Sequence, residues 1–285
     1  MPTASHEVLR TRVYDLYGGV LCFSEWCGLR YDQSRPEDAR MHLPWADRIA
    51  GPDGAIGPGM MTTLADAASG QVAAAIFDWR AQIATISLGL NLIRPAPAGA
   101  GLVAEAARIW SDDRTVLTEV RIHADGPGGA ALVAAARLRM IVVAQCAPPE
   151  TPGRYPVETP APGRPFWCGA GADTGGVAED GRLVLRIPPA PQFLGNRMRG
   201  ALHGGYVAGC LFEGLARLGR ATGAGFRPLD GVVDFLRSAA EADMVLTAEL
   251  PRAGARIGFA TARLDQTPPG RPPALTARLS ATLMR

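Results

Sequence analysis

Two short stretches of this chain carry residue types that could polarise and attack a carbonyl group. In Gly200-Ala201-Leu202-His203-Gly204-Gly205, a histidine and paired glycines stand at the start of a run that reads as a helix. Backbone N–H groups at a helix start lack intrahelical acceptors, and the helix dipole favours negative charge there. Such a turn suits a developing oxyanion. The second stretch runs from Met60 to about Trp79, is rich in Ala, Met and Leu, and carries Asp66 within it. Burying an unpaired carboxylate is costly. Asp66 therefore either caps a loop or faces solvent, or it is a base or nucleophile whose pKa an apolar setting raises.

The elements that hold these residues occur twice. Gly54-Ala55-Ile56-Gly57-Pro58-Gly59 matches Gly200 through Gly205, 146 positions later. Leu90-Asn91-Leu92-Ile93-Arg94-Pro95-Ala96 matches Val233-Asp234-Phe235-Leu236-Arg237-Ser238-Ala239. Ala131-Leu132-Val133 through Met140 matches Ala274-Leu275-Thr276 through Leu283. A repeat of this length predicts two copies of one domain. The expected boundaries are 1–146 and 166–285, joined by a proline-rich linker over 147–165. In the first copy the patterns predict a short helix at 5–17, a strand near 39–44, a buried helix from 60 to about 79, and strands at 83–94, 101–111, 115–124 and 130–143. The second copy repeats the order, with a strand at 181–187, a helix at 206–221, and strands at 229–238, 243–251, 255–265 and 273–284. A long apolar helix beside an antiparallel sheet predicts an α+β class, with the sheet wrapped around the helix.

Composition narrows the function classes. The chain has 285 residues, a net charge of +2 and 47% hydrophobic residues, which allows an ordinary core in each copy. That charge argues against nucleic acid as a partner. All 29 basic residues are arginine, so a bound phosphate would meet Arg or backbone N–H. The five cysteines are scattered, and their spacing fits neither zinc nor a disulfide framework, so no metal and reduced thiols are expected. Residues 1–20 do not read as a signal peptide, and no run of about 18 apolar residues occurs. A cytoplasmic protein with no membrane partner is the expectation.

The order strand, Gly-x-x-His-Gly-Gly, buried helix, four antiparallel strands resembles the hotdog fold. More narrowly it resembles the acyl-CoA thioesterases of the phenylacetate-degradation type, here as two tandem hotdog domains forming an intrachain pseudo-dimer. In that family the helix start reads Asn-x-x-Gly-x-x-His-Gly-Gly, with an acid nine positions after the His and a hydroxyl residue on a later strand. The first copy keeps Gly54, Asp66 and Arg94-Pro95, with Thr85 at the hydroxyl position, but has Gly51, Gly57 and Pro58 where Asn, His and Gly are expected. The second keeps Gly200, His203, Gly204 and Gly205, but has Phe212 in place of the acid and Arg197 in place of Asn. Asn196 and Glu213 each stand one position off.

The resemblance implies thioester hydrolysis, which needs an oxyanion donor and a base or nucleophile near one carbonyl. Asp66 lies eight residues after Pro58, or roughly 12 Å along a helix. Donor and acid must then come from different copies. Pro58 has no N–H and Phe212 no carboxylate, so the surviving pair is Gly204 N–H with Asp66, aided by Thr85. One composite site per chain is expected, with acyl-CoA as substrate and no cofactor beyond the CoA it carries. His203 serves as base or shapes the loop. Gly205 is a second turn residue, and Asn196 a second carbonyl donor. Arg94 and Arg237 meet CoA phosphates or are merely solvated. The acyl group is placed between the helices, among Met60, Leu64, Leu211 and Phe212. Glu213 could bend toward the degenerate mirror site. Two other functions remain open, non-catalytic binding of acyl-CoA or acyl carrier and a hotdog hydratase or dehydratase. Assembly into a homo-oligomer is also open.

Overall fold

The structure is a computed structural model that describes residues 5–19, 21–125, 130–147, 149–155, 181–221, 225–268, 270 and 272–285. Most of the expected linker over 147–165 lies outside the described residues. Its first part docks on the N-terminal helix, where Asp15 accepts from Gly153 N–H and from the Tyr155 hydroxyl, both at 2.9 Å.

Helix α3 (Pro58–Ile76) starts at an extended Gly57 with Pro58 at its first position, where a missing N–H costs nothing. It is mostly apolar and buried on nearly all sides, as a helix wrapped by a sheet must be, and its few polar residues include Thr62, Thr63 and Asp66. Its expected end near Trp79 shortens to Ile76, because Asp78 and Trp79 adopt positive φ of 50° and 59°. Helix α4 (Gly204–Ala221) is its counterpart and keeps a polar stripe with Glu213, Arg217 and Arg220.

The strands around α3 are β1 (Arg30–Ser34), β2 (Asp38–Leu43), β3 (Ala81–Leu92), β4 (Gly101–Ser111), β5 (Thr115–Asp125) and β6 (Ala131–Gln145). Around α4 lie β7 (Arg182–Ile187), β10 (Arg227–Phe235), β11 (Met244–Ala253), β12 (Ile257–Gln266) and β13 (Ala274–Met284), with a small β8–β9 ribbon (Leu194–Asn196 and Ala201–Leu202) before the helix. All but that ribbon join one sheet in the order β1-β2-β4-β5-β6-β3-β10-β13-β12-β11-β7. From β2 and from β7 inward the order is the same. The chain is thus a double hotdog, two α+β units sharing a continuous antiparallel sheet. The seam is the β3–β10 pair, with Asp230 opposite Asn91 and Asp234 opposite Ser87. Pairing there covers an edge that each unit alone would expose.

The helices meet with almost no side chain between them. A Cβ on Gly209 would lie 3.0 Å from Gly59 O, and one on Gly205 would lie 2.3 Å from Thr63 Cα. Residue 59 faces 209 while 63 faces 205, so the helices run antiparallel. The Thr62 hydroxyl donates to Gly205 O across this crossing at 3.0 Å.

Two elements of the N-terminal segment were not expected from sequence. Helix α2 (Cys22–Cys27) and strand β1 follow helix α1 (His6–Tyr17); β1 pairs with β2, and α2 packs on the turn before α4, where Phe23 meets Phe193, His203 and Tyr206. Neither α2 nor β1 has a counterpart in the repeat. Among the described residues, no helix is long and apolar enough to cross a membrane.

Candidate active site

Asp66 is the one charged residue in α3, and its side chain is met by groups from both units. It is 7% exposed. Oδ2 accepts from Gly205 N–H of α4 at 2.8 Å, and Oδ1 accepts from the Thr85 hydroxyl of β3 at 2.5 Å. Thr85 stands where the β3–β6 register shifts, and such a bulge re-aims a side chain. His203 Nδ1 lies 3.3 Å from Oδ2. The same Gly205 N–H is 3.1 Å from Nδ1, a longer contact than its bond to the carboxylate. Gly205 N–H thus points between Oδ2 and Nδ1 and is shared by both acceptors. Burial lowers the pKa of His203 below its usual 6.5, and the Asp66 charge opposes this only in part. His203 is thus neutral at pH 7, which favours a positioning role.

The linkage has a definite sign. A histidine whose folded pKa is depressed destabilises the fold as pH falls below its unfolded pKa, because the unfolded chain binds the proton more readily. Thermal stability should decline as pH drops through about 6.5 toward the folded value, and His203→Gln should flatten that decline. Parallel melting curves for the two proteins from pH 7.5 to 5 would refute this assignment.

Beside Asp66 opens a cavity of about 330 Å³. Asp66, Thr85, His203, Gly204 and Asn196 line it, and Arg199 and Arg237 are exposed residues of its wall. Gly204 is the first residue of α4, where an N–H has no intrahelical acceptor. The turn is tightly fitted. A Cβ on Gly204 would lie 2.9 Å from Asp66 Oδ2, and one on Gly195 2.6 Å from His203 Cα.

Several sequence-based placements need correction. Gly205 does not line the cavity; its N–H grips Asp66. Met60, Leu64, Leu211 and Phe212 are fully buried core, not cavity wall, because the helices cross at glycines with no space between them. The cavity lies instead between α3, β3, the β8–β9 turn and the N-terminal elements. Tyr17 of α1 lines it, with its phenol pushed up to about 12 by burial. Arg94 is exposed and off the cavity, whereas Arg237 borders it. The antiparallel β3–β10 register explains the difference, since it brings the end of β10 beside the start of β3, where Thr85 sits. Asn196 lines the cavity, but its Oδ1 caps Arg199 N–H at 3.2 Å and its Nδ2 donates to Gln82 Oε1 at 3.3 Å. Buried Gln82, which also accepts from Arg199 Nε at 3.1 Å, gave no sequence signal because its partners are 66 to 117 residues away.

The mirror position is plugged. Phe212 is fully buried, and a Cβ on Gly231 would lie 3.1 Å from its ring tip. Glu213 Oε1 accepts from Arg217 Nε at 3.0 Å and Arg220 Nη2 at 2.7 Å, which ties it to its own helix. Burial raises the Glu213 pKa against the pull of both arginines. Among the described residues, no group of three or more His, Cys, Asp or Glu side chains could hold a metal ion.

A model of the acyl-CoA thioesterase N-terminal domain matches residues 195–284. Those residues carry the diglycine turn and α4. The double-hotdog architecture is shared with three solved structures. A Novosphingobium aromaticivorans protein described as a thioesterase has TM-score 0.55 and 17% identity, covering 89% of this chain and 97% of its own. The tesB protein of Mycobacterium avium subs paratuberculosis has TM-score 0.57 and 13% identity, covering 89% and 95%. A Lactobacillus plantarum protein described as an oleoyl thioesterase has TM-score 0.58 and 10% identity, covering 87% and 95%. No curated protein matches the sequence.

Proposed function

We propose that this protein hydrolyses acyl-CoA thioesters at one site shared by its two units. The observation that carries this reading is the Asp66 carboxylate of one unit held by the diglycine turn of the other, beside a cavity. The thioesterase domain model matched on that turn supports it. The narrower likeness to the phenylacetate-degradation type rests on Asp66, Thr85 and the His203-Gly204-Gly205 turn.

The thioester carbonyl oxygen faces Gly204 N–H, where the start of α4 favours negative charge. Asp66 takes a proton from a water that Thr85 helps to place. The resulting hydroxide adds to the carbonyl carbon. The oxyanion then collapses, the C–S bond breaks, and the sulfur leaves as CoA thiolate and takes up a proton. Direct attack by Asp66 is less suited, because both carboxylate oxygens already accept hydrogen bonds. Gly205 N–H holds the carboxylate in place, with neutral His203 beside it. Arg199 and Arg237 meet the phosphates of CoA. No cofactor takes part in this scheme.

The test is a panel of acyl-CoAs of varied length with detection of free thiol. Release of CoA above the uncatalysed rate is expected. Tight binding without release would favour a non-catalytic binder, a reading that the fully engaged Asp66 carboxylate also suits. Thr85→Val should lower turnover about 10-fold by the loss of one hydrogen bond, with Thr85→Ser restoring most of it. Equal turnover in Thr85→Val would remove the hydroxyl from the mechanism.

A further inference from the structure

The cavity beside Asp66 bares part of a helix that is otherwise covered. Between 59 and 75, every residue of α3 is buried except Ala67 and Gly70. Both line the cavity, and a Cβ added to Gly70 would meet nothing within 4 Å. The space over this glycine is open. Val13, Leu16 and Tyr17 of α1 line the same cavity, and their spacing of three and four puts them on one helix face. Helix α1 packs chiefly against β1 and β3, and the cavity lies between that face and α3.

The repeat supplies a second version of this helix face. At the offset of 146, Ala67, Gly70, Gln71 and Ala74 take the places of Glu213, Ala216, Arg217 and Arg220. On α4 these positions form a charged stripe, in which Glu213 accepts from both arginines. On α3 the same positions carry no charge, and three of the four carry at most a methyl group. A glycine in the middle of a helix is less stable than an alanine, and no neighbour demands one at position 70. The missing side chain serves instead to keep the cavity wide one turn from the carboxylate.

We infer that Gly70 sets the acyl specificity of this site, by leaving room for an aliphatic chain that lies along α3 over Ala67 and Gly70, with Val13 and Leu16 across from it. Asp66 and Gly70 are neighbours on one helix face, about 6 Å apart along the axis. An acetyl group ends beside the carboxylate, whereas a chain of about six carbons or more extends over Gly70. Each methylene buried against these apolar groups leaves water and favours binding by about three- to fourfold. The inference rests on the thioesterase reading and narrows its substrate class to thioesters of medium-length and longer aliphatic acids.

The experiment uses straight-chain acyl-CoAs from acetyl to dodecanoyl with the wild type, Gly70→Ala and Gly70→Leu. Thiol release gives kcat/KM, calorimetry gives Kd, and a thermal melt of each protein reports folding. In the wild type, kcat/KM should rise with chain length and favour octanoyl over acetyl by at least about 10-fold. Gly70→Leu should lower that octanoyl-to-acetyl ratio about 10-fold or more, and Gly70→Ala should fall between. Gly70→Ala should melt at or above the wild type, because its methyl enters open space and suits a helix; it keeps the test decisive if the leucine variant does not fold. A ratio that is the same in all three proteins, or a wild type that cleaves acetyl-CoA as well as octanoyl-CoA, would place the chain elsewhere and overturn the inference while hydrolysis stands. If no thioester is cleaved, the hydrolase reading falls, and the octanoyl-to-acetyl ratio of Kd in the three proteins decides the role of Gly70.

Discussion

Asp66→Asn is expected to lower kcat/KM for acyl-CoA hydrolysis by about 10²–10⁴-fold, the range for loss of a positioned general base. The fold should survive. Asparagine has the same shape, and its Oδ1 can still accept from Gly205 N–H while its Nδ2 donates to the Thr85 oxygen, with the hydroxyl reversing its role. The partners that orient the carboxylate thus remain satisfied when it can no longer take a proton. Thiol release and a thermal melt on the same sample read the two effects separately. Turnover near the wild-type rate would remove Asp66 from the chemistry and leave the composite site as a binding pocket.

Gly205→Ala should produce the largest loss of stability among single-methyl additions at the site. The new Cβ would lie 2.3 Å from Thr63 Cα, 2.9 Å from Thr63 N and 3.0 Å from Thr62 O. All three are backbone atoms of α3, so no side chain can swing away. The helices must separate, which costs about 3 kcal/mol or more and lowers Tm on the order of 10 °C. Gly204→Ala is the informative neighbour. Its Cβ would meet Asp66 Oδ2 at 2.9 Å, a side-chain atom that can rotate. That variant should keep more of its stability but lose activity, because the displaced carboxylate leaves the Gly205 N–H. A Gly205→Ala protein that melts with the wild type would mean that the helices are not in backbone contact at this crossing.

The proposed single site accords with how the residues at the two seam positions differ. Once two copies are joined in one chain, each of the two possible seam sites can drift on its own. The Asp66 side kept a carboxylate and a helix start with a free N–H. The other side gained Pro58, which cannot donate, and Phe212, which fills the space with an aromatic ring against Gly231. Phe212 then contributes burial of a large apolar side chain where an acid would have required partners.

The sequence by itself determined the duplication, the order of helix and strands in each copy, and the pairing of a surviving acid with a surviving diglycine turn. These follow from local periodicity, from glycine and proline chemistry, and from comparing one half with the other. The family resemblance also pointed to Thr85 and His203, as the positions of that family's hydroxyl residue and histidine. What the sequence could not carry was the shape of the space beside Asp66. That Gly205 N–H meets the carboxylate depends on where α4 crosses α3. That the cavity avoids Met60, Leu64 and Phe212 depends on two helices touching at glycines, which makes the interhelical layer solid. That Arg237 borders the cavity and Arg94 does not depends on the register of β3 against β10. The six-residue α2 has no repeat partner and too few residues to show a period, and the approach of Tyr17 to the cavity depends on where α1 docks. Gln82 is an ordinary polar residue until long-range packing gives it its partners. Local pattern specifies elements because hydrogen bonding and burial act within a few residues; contacts between residues a hundred or more positions apart are set by how those elements dock.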